Sequence, residues 1–409
     1  MLEQKFVQPR LNKTLKIARH SVLILCGPSE CGKSYFATEC QSQLSSRGIS
    51  CSVISSDTCR RQILNSPNEH KHSDRMMGVS RDAFSMAYTK LKEATAYPNN
   101  DDVVIFDSTA LSAKSRKQIS KIALENKYTT QIIMFDYDDE QEYYKHTDAD
   151  WLVDIHLKKF RAEKPAGYSI TKREMPQIEL IDLCRFLLLD DKETVIISDI
   201  HGNYEEFVEL LTKTGFWSSD GTPNTDKNFV LVGDLIDKGP ESDKVVSFVL
   251  PYVISGNLRV VRGNHENWVV KRKSGEITQD NGIEHFDSIH LPDSFHEKLR
   301  EIWLRSYDYI KSDAFIVTHS PCDAIDLEKD PKAMRNFRHS RFTEEEMGQQ
   351  MIKMSSQRTP EMPLHIFGHI EFDQVFQYGG MIGIDSPNKL RAVVLNGRKT
   401  SFYHVEKAK

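Results

Sequence analysis

The chain has 409 residues, 28% of them charged and 39% apolar, with a formal net charge of −5. A single core rarely serves more than ~250–300 residues, so two domains are expected, and the ordinary composition excludes a disordered chain or a fibre. The small acidic excess excludes a global basic footprint, so any nucleic-acid contact rests on local patches.

The seven cysteines (Cys26, Cys31, Cys40, Cys51, Cys59, Cys184 and Cys322) contain no C-x-x-C pair. Neither a disulfide framework nor a zinc ribbon is expected. No apolar run has signal-peptide or membrane-spanning length, so the reading is a cytoplasmic protein with no membrane partner.

In chain order, the first part alternates short apolar runs with helical patterns. SVLILCG leads into a helix, and CSVISSD into another near RDAFSMAYTKLKEA, for which Ser80 is the expected N-cap. VVIFDST, a further helix and TQIIMFD follow. This rhythm predicts a doubly wound α/β domain with a parallel sheet. The segment NEHKHSD, with His70 and His72, has no strand context and reads as a solvated loop. The acidic stretch DYDDEQE from Asp136 stands where a helix should begin, its charge favouring the helix dipole.

Between Lys164 and Pro176 the chain turns polar, with Pro165 and Gly167, and reads as a lid and linker. The expected domains are 1–175 and 176–409, although ELIDLCRFLLLDD suits the end of the first or the start of the second. From Thr194 the apolar runs are TVIIS, FVLVG, LRVVRG, AFIVTH, LHIFGH and MIGID, most of them ending in a candidate ligand.

Gly27, Pro28, Ser29, Glu30, Cys31, Gly32, Lys33 and Ser34 fit G-x-x-x-x-G-K-[ST]. In such a loop backbone N–H groups cradle phosphates, the lysine reaches the outer ones and the serine holds Mg²⁺. ATP or GTP with Mg²⁺ is therefore expected as cofactor. Ligands in these folds lie beyond the carboxyl ends of the strands, so Asp57 and Arg60, just after CSVIS, should face the cleft. An Asp there can take a proton from an acceptor hydroxyl, and an Arg can hold an acceptor phosphate. Asp107, at the end of VVIF, is placed to hold Mg²⁺ through water. Lys114, Arg116, Lys117 and Lys121 on the next helix read as a solvated face or a phosphate track.

Together the glycine loop, SSDTCR, the RDAF helix start and DST before a basic helix resemble the 5′-OH polynucleotide kinase module. The likeness is greatest to bacterial end-healing enzymes that fuse this kinase to a metallophosphatase. It implies that Lys33 and Ser34 serve ATP, that Asp57 is the general base, and that Arg60 contacts the acceptor. Two departures stand out: Ala110 where the family has Asn, and a lid with His146 and Ala149 in place of arginines. Lys158, Lys159, Arg161 and Lys164 are the candidate substitutes.

In the second part Asp199, His201, Asp234, Asn264, His319 and His369 each lie at the end of an apolar run, so they should converge on one edge of a β-sandwich. Asp234 can bridge two ions, with Asp199 and His201 on one and Asn264, His319 and His369 on the other. This mixed set suits Mn²⁺, Ni²⁺, Fe or Zn²⁺ better than Ca²⁺. Two such ions can activate a shared water and clamp a phosphate. His265 is then free to protonate the leaving oxygen, oriented by Asp237.

GDLIDKGP and RGNHEN resemble the binuclear metallophosphoesterase motifs, with Lys238 where that family carries Arg. Lys238 binds the substrate phosphate in this reading, as a point charge in place of a bidentate guanidinium. Asp385 is a turn residue or a neighbour of the site. The whole implies an ATP-dependent 5′-OH kinase joined to a metal-dependent 3′-phosphatase or 2′,3′-cyclic phosphodiesterase. RNA or DNA ends would be its partners, and a separate ligase would seal them, since no K-x-D-G motif occurs. The alternatives are a dinucleoside polyphosphate hydrolase or a protein phosphatase, with the P-loop domain as a nucleotide-binding regulator.

Overall fold

A computed structural model describes residues 14–277, 286–322 and 344–407. The chain divides into two compact units, Met1–Leu183 and Cys184–Lys409. In the first unit the strands are β1 (Thr14–Ala18), β2 (Ser21–Cys26), β3 (Cys51–Ser55), β4 (Val103–Asp107), β5 (Thr129–Phe135), β6 (Tyr168–Ile170) and β7 (Gln177–Ile181). Its helices are α1 (Lys33–Ser45), α2 (Ser56–Ile63), α3 (Asp74–Gly78), α4 (Ser80–Thr95), α5 (Ala113–Glu125) and α6 (Asp150–Ala162).

Five of these strands form one parallel sheet in the order β3-β4-β2-β5-β6. Every residue of β2 and of β4 is buried, which is why both read as unbroken apolar runs: helices cover both faces. One core lies on each face, with Leu23, Leu25, Phe36 and Leu44 in one, and Val22, Ile24, Ala87 and Ile119 in the other.

Four details differ from the sequence reading. The N-cap of α4 is Val79, with no side-chain cap; Ser80 is already inside the helix and turns its hydroxyl back to the Met77 carbonyl. The acidic stretch makes only a short 3₁₀ turn at Glu140–Tyr143, capped by Asp139, and the next α-helix starts at Asp150. The lid-to-linker stretch contains β6, which adds to the main sheet beside β5. Residues 177–181 pair with β1, so the units divide at Leu183, whereas the sequence reading put the boundary after residue 175. The ambiguous segment ELIDLCRFLLLDD is shared: β7 goes to the first unit and β8 (Phe186–Leu188) to the second.

The second unit continues with β9 (Thr194–Ile197), β10 (Asn228–Leu231), β11 (Arg259–Val260), β12 (Tyr309–Lys311), β13 (Phe315–Thr318) and β14 (Leu364–Phe367). It ends with β15 (Phe376–Tyr378), β16 (Met381–Gly383), β17 (Lys389–Asn396) and β18 (Lys399–Glu406). Its α-helices are α7 (Tyr204–Lys213), α8 (Ser242–Ser255), α9 (Asn264–Lys273), α10 (Asp293–Arg305) and α11 (Glu344–Ser356).

Two sheets, ordered β11-β10-β9-β17-β18 and β15-β16-β14-β13-β12-β8, make a sandwich. Their inner faces supply one core, with Ile196, Val230 and Val393 from the first sheet against Ile310, Val317, Ile366 and Ile382 from the second. Because β9, β10 and β11 run parallel, as do β13, β14 and β16, their carboxyl ends line up in each sheet. Among the described residues no helix is long and apolar enough to cross a membrane.

Candidate functional site

At the end of β2 the backbone turns through the glycine loop, and Gly32 takes φ +97° to start α1. That left-handed turn aims the first N–H groups of α1 at the loop's mouth, as anion binding requires. Lys33 is buried, and its ammonium donates to the Gly27 carbonyl at 3.2 Å and to the Pro28 carbonyl. Ser34 donates its hydroxyl to Asp107 Oδ2 at 2.7 Å. The sheet order explains this meeting, since β4 lies directly beside β2. A hydroxyl and a carboxylate at the phosphate end of a glycine loop are the pair that holds Mg²⁺ in P-loop proteins.

Asp57, in the first turn of α2, forms an ion pair with Arg60 and lies 3.6 Å from Lys71 Nζ. Asp57, Asp107 and the glycine loop thus follow the ends of three neighbouring parallel strands, β3, β4 and β2. Arg116 is not part of a phosphate track: it is buried and donates to the carbonyls of Ala110, Leu111 and Glu163. Of the candidate lid bases, Arg161 and Lys164 are paired with Glu140 and Asp136, and Lys158 and Lys159 are exposed. Ala149 caps α6 and His146 precedes that helix.

Two groups beside the loop were missed by the sequence reading. His156, on α6, accepts a hydrogen bond at Nδ1 from the Ser29 N–H at 3.2 Å. Burial, with Lys33 adding to it, pushes its imidazole down to about 4, so it is neutral. Arg173 donates to the Glu30 carbonyl at 3.1 Å and stacks on the Tyr137 ring. Neither carries a sequence signal, because each is brought in from a distant segment.

In the second unit the six predicted ligands do come together, each from the carboxyl end of a strand. Asp199, His201 and Asp385 form one buried group; His201, Asp234 and His265 a second; and Asp234, His319 and His369 a third, each with donor atoms within 4.8 Å of one another. The backbone is forced there: His201, Asp234, Asp237, Lys238 and His369 all take φ between 47° and 69°. Left-handed backbone at non-glycine residues costs about 1–3 kcal/mol each and concentrates at functional sites.

The donor set fits divalent ions. His319 Nδ1 donates to the Val232 carbonyl at 2.9 Å, which in the neutral imidazole turns the Nε2 lone pair toward Asn264 Oδ1 at 2.8 Å and Asp234 Oδ2 at 3.4 Å. Acceptors facing acceptors are the arrangement that a cation resolves. His201 is fixed in the same way, Nδ1 to the Ile236 carbonyl at 3.0 Å and Nε2 toward Asp234. Burial pushes His201 and His369 down to about 3, which leaves both imidazoles neutral and free to ligate.

Burial, together with Asp385 and Asp234, holds the Asp199 carboxyl well above its ordinary range. Asp385 is raised by burial to about 6, and its Oδ2 is buried without a partner, so it belongs with the donors rather than with a surface turn.

His265 differs from the ligands. Burial alone would lower it, but Asp234 and Asp237 outweigh burial and raise it. Asp237 Oδ2 accepts from its Nδ1 at 2.8 Å, while Asp237 Oδ1 accepts from the Ser288 N–H at 2.9 Å. Lys238 pairs with Glu371 at 3.1 Å; burial alone would lower its pKa, but Glu371 outweighs burial and raises it.

Glu266, also missed, is buried and accepts from the Asp234 and Leu235 N–H groups at 3.1 and 2.6 Å. It holds the Asp234 turn in shape. Its place in GNHE, one residue after His265, was the available signal.

Residues 193–394 match the family described as calcineurin-like phosphoesterase, and residues 22–145 match the family described as AAA domain. The chain is 31% identical over 153 residues to bis(5′-nucleosyl)-tetraphosphatase PrpE (asymmetrical) of Bacillus velezensis, covering 35% of this chain and 61% of that one. It is 36% identical over 122 residues to a symmetrical bis(5′-nucleosyl)-tetraphosphatase of Buchnera aphidicola, covering 29% and 40%. With the zinc-dependent endopolyphosphatase of Saccharomyces cerevisiae it shares 44% over 77 residues, covering 19% and 21%. The chain therefore spans from about a fifth to three fifths of these relatives' own lengths. It joins a P-loop, kinase-like α/β domain to a metallophosphoesterase domain, and the second carries His and Asp clusters that could hold divalent metal ions.

Proposed function

We propose that the chain is a bifunctional end-healing enzyme for nucleic acids, an ATP-dependent 5′-OH polynucleotide kinase joined to a 3′-phosphatase or 2′,3′-cyclic phosphodiesterase. The observation that carries the kinase half is the row formed by Ser34–Asp107 and Asp57–Arg60 along one end of a parallel sheet. A module that only bound nucleotide would need the first pair and not the second. In this reading Lys33 leaves the Gly27 and Pro28 carbonyls for the outer phosphates, and Asp57 takes the proton of the acceptor hydroxyl. Arg60 holds the acceptor's phosphate.

In the hydrolase half, Asp199, His201 and Asp385 would hold one divalent ion, Asn264, His319 and His369 the other, with Asp234 able to serve both. Bound there, the ions supply Lewis acidity to the phosphoryl group and to water. His265 carries the proton for the leaving oxygen, Asp237 keeps that imidazole aimed, and Lys238 draws in the phosphate. Glu266 and Gly263 leave the Asp234 turn no other shape, since a Cβ on Gly263 would lie 2.3 Å from the Asp234 nitrogen.

A second reading, dinucleoside polyphosphate hydrolysis, is favoured by the names of two relatives. One experiment separates the two. RNA with a 5′-OH and a 2′,3′-cyclic phosphate is incubated with γ-labelled ATP, and diadenosine tetraphosphate is assayed in parallel. The expected result is 5′ label lost only in Lys33→Ala and 3′ hydrolysis lost only in Asp199→Ala. Rapid turnover of the dinucleotide with no label transfer would replace the proposal with the second reading.

A further inference from the structure

The loop NEHKHSD, solvated by its sequence, has partners in the fold. His72 Nε2 lies 3.1 Å from Glu30 Oε1 of the glycine loop and 3.8 Å from Asp148 Oδ1, ahead of α6. His70 Nε2 lies 3.3 Å from the other Asp148 oxygen. Glu30, His72 and Asp148 bring their donor atoms within 4.8 Å of one another. These residues come from three separate segments, none of which belongs to the hydrolase centre.

We propose that Glu30, His72 and Asp148 form a further site for a divalent transition-metal ion. Three observations carry it. First, tetrahedral coordination at Zn–N and Zn–O distances of ~2.0–2.2 Å puts neighbouring donors about 3.4 Å apart. The 3.1 and 3.8 Å separations of His72 Nε2 from the two carboxylates bracket that value, and all three donor atoms lie within 4.8 Å of one another, so an ion would draw them together by side-chain adjustment.

Second, Glu30 Oε2 is buried with no hydrogen-bond partner, although Oε1 has His72. A protonated His72 would satisfy Oε1 and still leave Oε2 bare; an ion accepts either oxygen. Third, the arrangement has the outer support that ligating carboxylates ordinarily have, with His70 gripping the Asp148 oxygen that the site does not use. Two carboxylates and a neutral imidazole match a dication in charge. The mixture of nitrogen and oxygen favours Zn²⁺, Co²⁺ or Ni²⁺ over Ca²⁺ or Mg²⁺.

The neighbouring cations are already engaged, Lys71 with Asp57 and Arg75 with Glu69, so neither fills the place of the ion. A bound ion would tie the glycine loop at Glu30 to Asp148, just ahead of α6. This inference stands on the first unit's own residues and does not depend on the kinase reading.

The test uses Co²⁺ alone as the probe. The full chain, stripped with chelator, is titrated and followed by visible absorption and calorimetry in four forms: wild type, Asp234→Asn, and Asp234→Asn combined with His72→Ala or with Glu30→Gln. Circular dichroism establishes that each form is folded. The expected result is one equivalent retained in Asp234→Asn and weakened at least about tenfold in both double variants, in keeping with the loss of a ligand. Equal Co²⁺ binding by Asp234→Asn and the two double variants would overturn the site, as would an Asp234→Asn protein that binds none.

Discussion

His265 and Asp237 are joined at 2.8 Å through Nδ1 and Oδ2, and this pairing sets one imidazole of the second unit's buried cluster apart from the rest. The neighbouring His201 and His369 are driven neutral by burial, whereas at His265 the downward push of burial is outweighed by Asp234 and Asp237, which raise it. A raised imidazole among lowered ones is the pattern expected of an acid placed among ligands. His265→Ala should lower kcat on alkyl phosphoesters by roughly 10²–10⁴-fold, the usual worth of a general acid. It should lower kcat far less on p-nitrophenyl phosphoesters, whose leaving group departs without a proton. Asp237→Asn should follow the same pattern at about 10–100-fold, as a partner acting through the imidazole. Equal losses on both ester types would remove the acid role.

Gly368 shows how tightly the centre is closed. A Cβ there would lie 1.9 Å from Asp199 Oδ1 and 2.6 Å from Val232 Cγ2, so no side chain fits without moving the carboxylate. Asp199 also accepts from the His369 N–H at 3.0 Å, and displacing it breaks that bond. Gly368→Ala should cost about 1–3 kcal/mol of stability in the second unit, as overpacking does. Its Mn²⁺ affinity should fall together with hydrolysis, while ATP binding by the first unit stays unchanged. Thermal melting and parallel Mn²⁺ and ATP titrations read all three.

The legible parts of the molecule were those that the chain writes locally. β2 and β4 announce themselves as apolar runs because both faces are buried, and each metal-ligand candidate sits at a strand end in sequence as well as in space. What stayed hidden depends on long-range pairing. β7 joins β1 across some 160 residues, a partnership that no local pattern encodes, and it moved the boundary. The same holds for His156, Arg173 and the Glu30–His72–Asp148 group, where isolated polar residues acquire meaning only after folding. The Ser80 expectation failed for a local reason: the chain enters α4 directly through Val79 from α3, so the helix starts one residue earlier.

His156 makes the first unit acid-sensitive. Its pKa is pushed down to about 4 by burial, with Lys33 contributing, against about 6.5 in an unfolded chain. Between these values the unfolded chain takes up a proton that the folded one refuses. The stability this group contributes is present above about pH 6.5 and is lost as pH falls through about 4. Gln at this position keeps an acceptor for the Ser29 N–H and removes the titration. The melting temperature of His156→Gln should therefore fall less than that of the wild type between pH 7 and pH 5. Parallel curves for the two proteins would show that the imidazole does not titrate across this range.

Lys238 faces two demands. Its ammonium lies 3.1 Å from Glu371, and both side chains are 42% exposed, so the pair is a solvated bridge that contributes little to stability. The lysine is therefore free to exchange that partner for a phosphate, but as a point charge it offers one contact where a guanidinium would offer a two-pronged grip. Lys238→Arg should lower KM for phosphoester substrates with kcat nearly unchanged, the signature of added uniform binding. Glu371→Gln should lower KM as well, by removing the competing carboxylate. If Glu371→Gln raises KM, Glu371 serves to position the cation rather than to occupy it; if Lys238→Arg leaves KM unchanged or raises it, the phosphate is not held at this place.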